Sequence, residues 1–229
     1  MPRHPPVSLL TFSGIDAAGK STQIGLLCDR LRQLGHPTAV HWIRGGYTPR
    51  LNSLKALARR VGAPAPGRTA AREAAFQRPW IRRGWLTLAL LDLLIEIGVR
   101  VRVKCWLGWV VVCDRYLSDT LIDFRLNFPA EGIDRWWLWH LLARVAPRPD
   151  VSVLLLVPVA ESVRRSDVKR EPYRESVEIL ARRLALYWDL ANDSGCCVLD
   201  GTRPVEELAS AIAAASGLPA HSGAYQPAA

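Results

Sequence analysis

Thr11-Phe12-Ser13-Gly14-Ile15-Asp16-Ala17-Ala18-Gly19-Lys20-Ser21-Thr22 is the stretch on which the fold turns. It fits G-x-x-x-x-G-K-[ST] at every fixed position, with Gly14, Gly19, Lys20 and Ser21. Glycines permit dihedrals that turn successive backbone amides inward and make a concave cradle for phosphate oxygens. A short apolar run, Val7 to Phe12, precedes the loop. An amphipathic segment, Ser21 to Leu34, follows it, with Ile24, Leu27, Leu31 and Leu34 along one face. That order puts the positive end of a helix and its unpaired first-turn amides at the phosphates. The expected ligands are ATP and Mg²⁺. Gly14, Ala17, Ala18, Gly19, Lys20, Ser21 and Thr22 would surround the nucleotide, Lys20 reaching its β- and γ-phosphates and the Ser21 hydroxyl ligating the metal.

Outward from the loop, Ala39 to Ile43, Val110 to Cys113, Val151 to Val157 and Cys197 to Leu199 read as further buried parallel strands. Longer segments of helical spacing separate them. The expected fold class is α/β, a P-loop NTPase three-layer α/β/α arrangement with a five-stranded parallel sheet, a helical lid and a helical insertion. Residues 1–216 form one kinase domain on this view, with a substrate-side insertion at 44–84 and a lid at 164–174. The Gly/Pro-rich stretch Val61 to Thr69 is a surface connection inside the insertion, and 217–229 is a polar tail expected to be disordered.

Composition sets outer bounds. With 229 residues, 49% apolar and 22% charged, the chain suits one folded domain. Thirty Lys plus Arg against 21 Asp plus Glu, a formal charge of +9, favours anionic partners. The basic residues form no aromatic-interleaved stripe, so no nucleic-acid module is expected. Five cysteines without CxxC spacing, and no apolar core in Met1 to Pro6, point to a reducing, cytoplasmic setting without a zinc site. Trp85 to Ile97 is the most apolar run, yet Asp92 and Glu96 interrupt it. It reads as a buried helix, not a transmembrane segment.

A second motif lies at Val110-Val111-Val112-Cys113-Asp114-Arg115-Tyr116. It puts a carboxylate at the C-terminal end of a buried strand, where open α/β sheets bind ligands. Asp114 would hold Mg²⁺ through water and Arg115 would clamp an incoming phosphate; a helix N-cap with a solvated arginine is the plainer account.

The phosphate loop together with Asp114-Arg115-Tyr116 resembles the thymidylate kinase family, which joins G-x-D-x-x-G-K-S-T to a D-R-Y strand end. The likeness covers Val7 to Leu34, Trp85 to Leu121, Pro149 to Ala191 and Val198 to Ile212. It implies that Asp16 touches the acceptor nucleotide or the metal and that Arg115 binds the acceptor phosphate. Asp92 stands where the family has an Asp-Arg pair on the helix before the third strand, but Leu93 follows it. The family's A-Y-Q is Ile122-Asp123-Phe124, its R-E-P-G loop is Ile43-Arg44-Gly45-Gly46-Tyr47, and the Asp closing its fourth strand is Leu156. These departures fall on or near the acceptor side, with Arg44, Asp92, Asp119 and Asp123 as candidate acceptor contacts.

Arg164, Arg165, Lys169, Arg170 and Arg174 form a basic run after the fourth strand. In kinases of this kind a basic lid neutralises the transferred group. Loop positions 17 and 18 are alanines, so Arg165 and Arg170 take that task, with Arg164 against adenine; a solvated basic helix is the alternative. Asp200-Gly201-Thr202-Arg203-Pro204 resembles the loop that packs on adenine. Trp136, Trp137 and Trp139 cannot share one helical face, which leaves core packing for some and an oligomer seam, such as a homodimer, for others.

The expected reaction is in-line transfer of the ATP γ-phosphoryl group to a small acceptor, by default dTMP or another nucleoside monophosphate. A sugar or glycan-precursor kinase is the first rival, because Asp119 and Asp123 suit hydroxyl-rich acceptors unless they are solvated. A nucleotide-binding regulator without catalysis is the second.

Overall fold

The structure is a computed structural model that describes residues 7–44, 74–169, 175–193 and 195–219. In chain order these form β1 (Leu9–Ser13), α1 (Lys20–Gln33), β2 (Thr38–Trp42) and α2 (Pro79–Leu93). Helix α2 runs on through a π-helical stretch (Leu94–Val101) into α3 (Arg102–Trp106), followed by β3 (Val110–Asp114) and α4 (Leu117–Asn127). Two 3₁₀ turns lead to α5 (Trp137–Val145), then β4 (Val151–Leu156), α6 (Val159–Lys169), α7 (Val177–Asp193), β5 (Cys197–Asp200) and α8 (Val205–Ala215).

All five strands pair in parallel in the order β2-β3-β1-β4-β5. Both faces are covered, which is why the strands read as unbroken apolar runs. Leu10, Phe12, Val110 and Val112 join Ile24, Leu27 and Leu31 of α1 and Leu208 and Ile212 of α8 in one core. Leu9, Val111 and Cys113 join Leu86, Leu90, Ile97 and Leu142 in the other. Neighbours β1 and β3 send the chain to opposite edges, β1 toward β2 and β3 toward β4. Their C-terminal ends therefore open a crevice, the usual ligand position in such sheets.

The buried helix expected over Trp85 to Ile97 is present but changes character. Its π-helical stretch buries Glu96, which meets His41 Nδ1 of β2 at 2.6 Å and accepts a hydrogen bond from Arg100 at 3.0 Å. The expected strands Val7 to Phe12 and Ala39 to Ile43 are each displaced by a residue or two. Trp137 and Trp139 lie on α5, Trp139 buried and Trp137 74% exposed, while Trp136 caps the helix start. No disulfide joins the cysteines among the described residues. Among the described residues no helix is long and apolar enough to cross a membrane. Most of the expected insertion (45–73), lid residues 170–174 with Arg170, and tail residues 220–229 lie outside the described residues.

Candidate functional site

The loop between β1 and α1 is shaped by close backbone packing. Gly14 has φ 140°, and a Cβ there would lie 2.3 Å from the Leu155 carbonyl oxygen of β4. Ala17 carries φ 56°, a left-handed conformation that side-chain-bearing residues rarely adopt. Gly201, just past β5, lets that turn press on the loop; a Cβ would come within 2.9 Å of Ala18 O.

Two adjoining hollows share Ala17, Ala18, Gly19 and Lys169. The first, about 300 Å³, adds Thr22, Gln23, Arg164, Arg165, Gly201 and Arg203. The second, about 280 Å³, adds Asp16, Lys20, Ser21, Trp42, Arg44, Asp114 and Arg115. One cleft thus gathers most of the candidate residues. Asp92 is fully buried on α2 and is not among the described residues lining either hollow.

Lys20 is buried, and its Nζ donates to the carbonyls of Gly14 (2.9 Å) and Ile15 (2.8 Å). Burial, then the positive charge of Arg115, pulls its ammonium down to about 8 against the opposing pull of Asp16, Asp114 and Asp119. Asp114, at the end of β3, has its carboxyl raised by burial, with Lys20 and Arg115 opposing. Its Oδ1 is buried without a hydrogen-bond partner among the described residues. A carboxylate oxygen left bare beside a phosphate loop suits a hard cation, with the neighbouring Ser21 hydroxyl as a second oxygen donor.

Arg115 is buried and carries φ 74°. Its Nη2 donates to Asp16 Oδ1 at 2.5 Å, and its Nη1 reaches the Tyr187 hydroxyl at 3.3 Å. Burial alone would lower its pKa; Tyr187, Asp119 and Asp16 push it up instead, so the guanidinium stays charged. For Asp16 burial again opposes the charge, but Arg115, with Lys20 and Arg44 behind it, holds the carboxyl below its usual range. Ser162 of α6 donates to the Asp16 backbone carbonyl at 2.8 Å.

Asp119 and Asp123 are not solvated helix residues; both are buried on α4. Asp119 accepts from Ser13 Oγ (2.7 Å), the Tyr116 N–H (3.0 Å) and the Tyr187 hydroxyl (2.6 Å). Asp123 accepts from Arg183 Nη1 at 2.5 Å, and Arg44 Nε lies 3.6 Å from its other oxygen. Both oxygens of Asp119 thus accept hydrogen bonds, whereas the second oxygen of Asp123 has the Arg44 charge nearby, beyond hydrogen-bond range.

On the lid side, Arg164 forks onto Glu161 (2.8 and 2.7 Å) and borders the first hollow. Arg165 donates to Glu161 (2.6 Å) and Gly201 O (3.0 Å), tying α6 to the turn after β5. Sequence reasoning missed Tyr187, Arg183, Trp42 and Ser162. The available signal was Arg183 itself, a charge set on the apolar face between Leu180 and Tyr187.

Residues 95–212 match the family model described as thymidylate kinase. The thymidylate kinase of Thermomicrobium roseum is 31% identical over 89% of this chain and 91% of its own length. That of Rhodopirellula baltica is 31% identical over 92% and 81%. That of Geobacter sulfurreducens is 28% identical over 89% and 93%. With the parallel sheet, the loop at its crevice and these relatives in agreement, the chain belongs to the thymidylate kinase family, a family of nucleotide kinases.

Proposed function

We propose that the chain transfers the γ-phosphoryl group of ATP to the phosphate of a nucleoside monophosphate, dTMP being the default acceptor. The observation that carries this is the single cleft in which the phosphate loop, Lys20, Asp114 and Arg115 converge from neighbouring strand ends. The backbone from Gly14 to Thr22, with Ala17, Ala18 and Gly19, cradles the donor phosphates, and Lys20 gives up its loop carbonyls to reach the β- and γ-oxygens. Asp114 and Ser21 would hold Mg²⁺, which supplies charge neutralisation on the phosphate oxygens.

An acceptor phosphate oxygen forms the new O–P bond as the bond from the γ-phosphorus to the β,γ-bridging oxygen breaks, and ADP leaves. Arg115, with Arg44 beside it, positions the acceptor phosphate, and Asp16 orients Arg115. Arg165, with Arg170 beyond the described residues, neutralises the transferred group; Arg164 borders adenine. Positioning and charge neutralisation supply most of the rate in such transfers. Asp92, buried on α2, is assigned to the acceptor side with Arg115 and Arg44.

Both oxygens of Asp119 are engaged within the fold, which favours a phosphate acceptor over the hydroxyl-reading alternative. ADP release with Mg²⁺, ATP and a panel of dTMP, dUMP, dCMP, AMP and hexoses tests the assignment. Turnover with dTMP is expected; turnover with a hexose alone, or ATP binding without transfer to any acceptor, sinks it.

A homodimer and a cytoplasmic setting belong to the same proposal. Leu91, Ile95, Val99, Val103 and Trp106 form an exposed apolar row at a spacing of about four along α2, the π stretch and α3. A two-fold axis through such a row would bury it against its own copy. Sedimentation of the chain against Val99→Glu should show a dimer becoming a monomer.

A further inference from the structure

Helices α4 and α7 are joined by two buried polar rungs. Asp119 and Asp123 stand four residues apart on α4, and Arg183 and Tyr187 stand four apart on α7. Four residues bring side chains back to one face of a helix, so both pairs can meet at once. Tyr187 donates to Asp119 at 2.6 Å, and Arg183, 1% exposed, donates to Asp123 at 2.5 Å. Arg183 is fixed from its other side by Glu175, at 2.9 and 2.7 Å. Sliding α7 by one residue would break both rungs and strand their charges in the core.

The first rung ends on Arg115. The Tyr187 hydroxyl accepts from Arg115 Nη1 while donating to Asp119, and Asp119 Oδ1 lies 3.7 Å from the same nitrogen. The other oxygen of Asp119 holds the Tyr116 N–H and Ser13 Oγ, so one carboxylate grips the turn after β3 and the last residue of β1. Arg115 needs this grip for two reasons. Its backbone occupies the left-handed region at φ 74°, which persists only where the surroundings over-determine it. Its side chain is long, and an unanchored guanidinium loses much of its binding energy to ordering. The rung anchors Nη1 from behind and leaves Nη2 beside Asp16 at the cleft.

We propose that Tyr187 and Asp119 are positioning residues that hold the Arg115 guanidinium, and the strained turn beneath it, in the orientation that receives the acceptor's phosphate. Neither residue lines the described cleft, so they act through Arg115. The inference rests on Arg115 being the acceptor-phosphate ligand.

The test is steady-state turnover of Tyr187→Phe, Asp119→Asn and Arg115→Ala with dTMP and ATP varied separately, beside their melting temperatures. Tyr187→Phe keeps the ring and removes only the hydroxyl. It should raise the KM for dTMP about tenfold while leaving the KM for ATP within about twofold. Asp119→Asn should give the same split, larger. A fall in melting temperature with the KM for dTMP unchanged in both variants would mean a purely structural rung and overturns the proposal. An unchanged KM for dTMP in Arg115→Ala, or no dTMP turnover by the unaltered chain, brings down the acceptor assignment itself and the proposal with it. The Arg115 variant and the unaltered chain therefore show which of the two has failed.

Discussion

The phosphate loop and the α4–α7 wall meet where Ser13 donates to Asp119 and Arg115 bridges Asp16 to Tyr187, and they are held by opposite means. The loop is a matter of backbone. Gly14 lies against the Leu155 carbonyl, Ala17 takes a left-handed turn, and Lys20 spends its donors on two carbonyls five and six residues away. The wall is a matter of side chains from distant parts of the chain. Tyr187 and Asp119 are separated by 68 residues, Arg183 and Asp123 by 60, and Arg115 and Asp16 by 99. A local device tolerates changes around it but not within it; a long-range lattice of buried charges fails when any one partner is removed.

The contrast can be broken most sharply at Gly14. Gly14→Ala should cost on the order of 5 kcal/mol of stability and abolish ATP binding, because the added carbon meets a backbone oxygen that cannot move aside. Thermal melts and nucleotide titration would read both losses; a folded, ATP-binding variant would mean that the loop is not set by this contact.

Lys20→Ala comes next. It should lower kcat about a thousandfold, with the melting temperature moving by about 5 °C or less. A collapse of stability instead would make Lys20 part of the scaffold and erase the distinction between the two regions.

Arg183→Met tests the wall. Removing one guanidinium leaves Asp123 and Glu175 buried with, among the described residues, the more distant Arg44 in reach, at 3.6 and 4.0 Å. About 3 kcal/mol of stability should be lost, while the KM for ATP stays near its original value. Urea unfolding combined with ATP kinetics checks this. A variant as stable as the parent would show that the ion pairs are dispensable.

The smallest effect is expected away from both regions, at Glu96. Its hydrogen bond from His41, against the opposing cost of burial and with help from Arg100, pulls the carboxyl from 4.5 to about 2. A carboxylate depressed in the folded state contributes stability that is complete above 4.5 and lost as pH falls toward 2. Glu96→Gln should therefore remove about 2 kcal/mol at neutral pH and flatten this part of the acid limb. An acid limb as steep as the parent's would show that the pair contributes nothing.

Legibility followed the same division. Gly14 to Thr22 and Asp114-Arg115 could be read directly, because each depends on residues a few positions apart. Strand order, or the burial of Asp119 and Asp123, could not. Those two acids looked as suited to solvent as to a sugar hydroxyl, and only the approach of α7 ties an oxygen of each into the core. The burial of Asp92 on α2 was equally beyond local reading. The π-helical turn that sets Glu96 under His41 has no signature in a run of leucines and isoleucines.

By itself, then, the sequence determined the parallel layered architecture, the phosphate loop and the acidic strand end, since local spacing dictates local backbone and apolar runs dictate burial. Tertiary structure alone decided which carboxylate meets which arginine or tyrosine. Such pairing depends on the docking of helices far apart in the chain, and nothing local in α4 encodes which residues of α7 will come to lie against it.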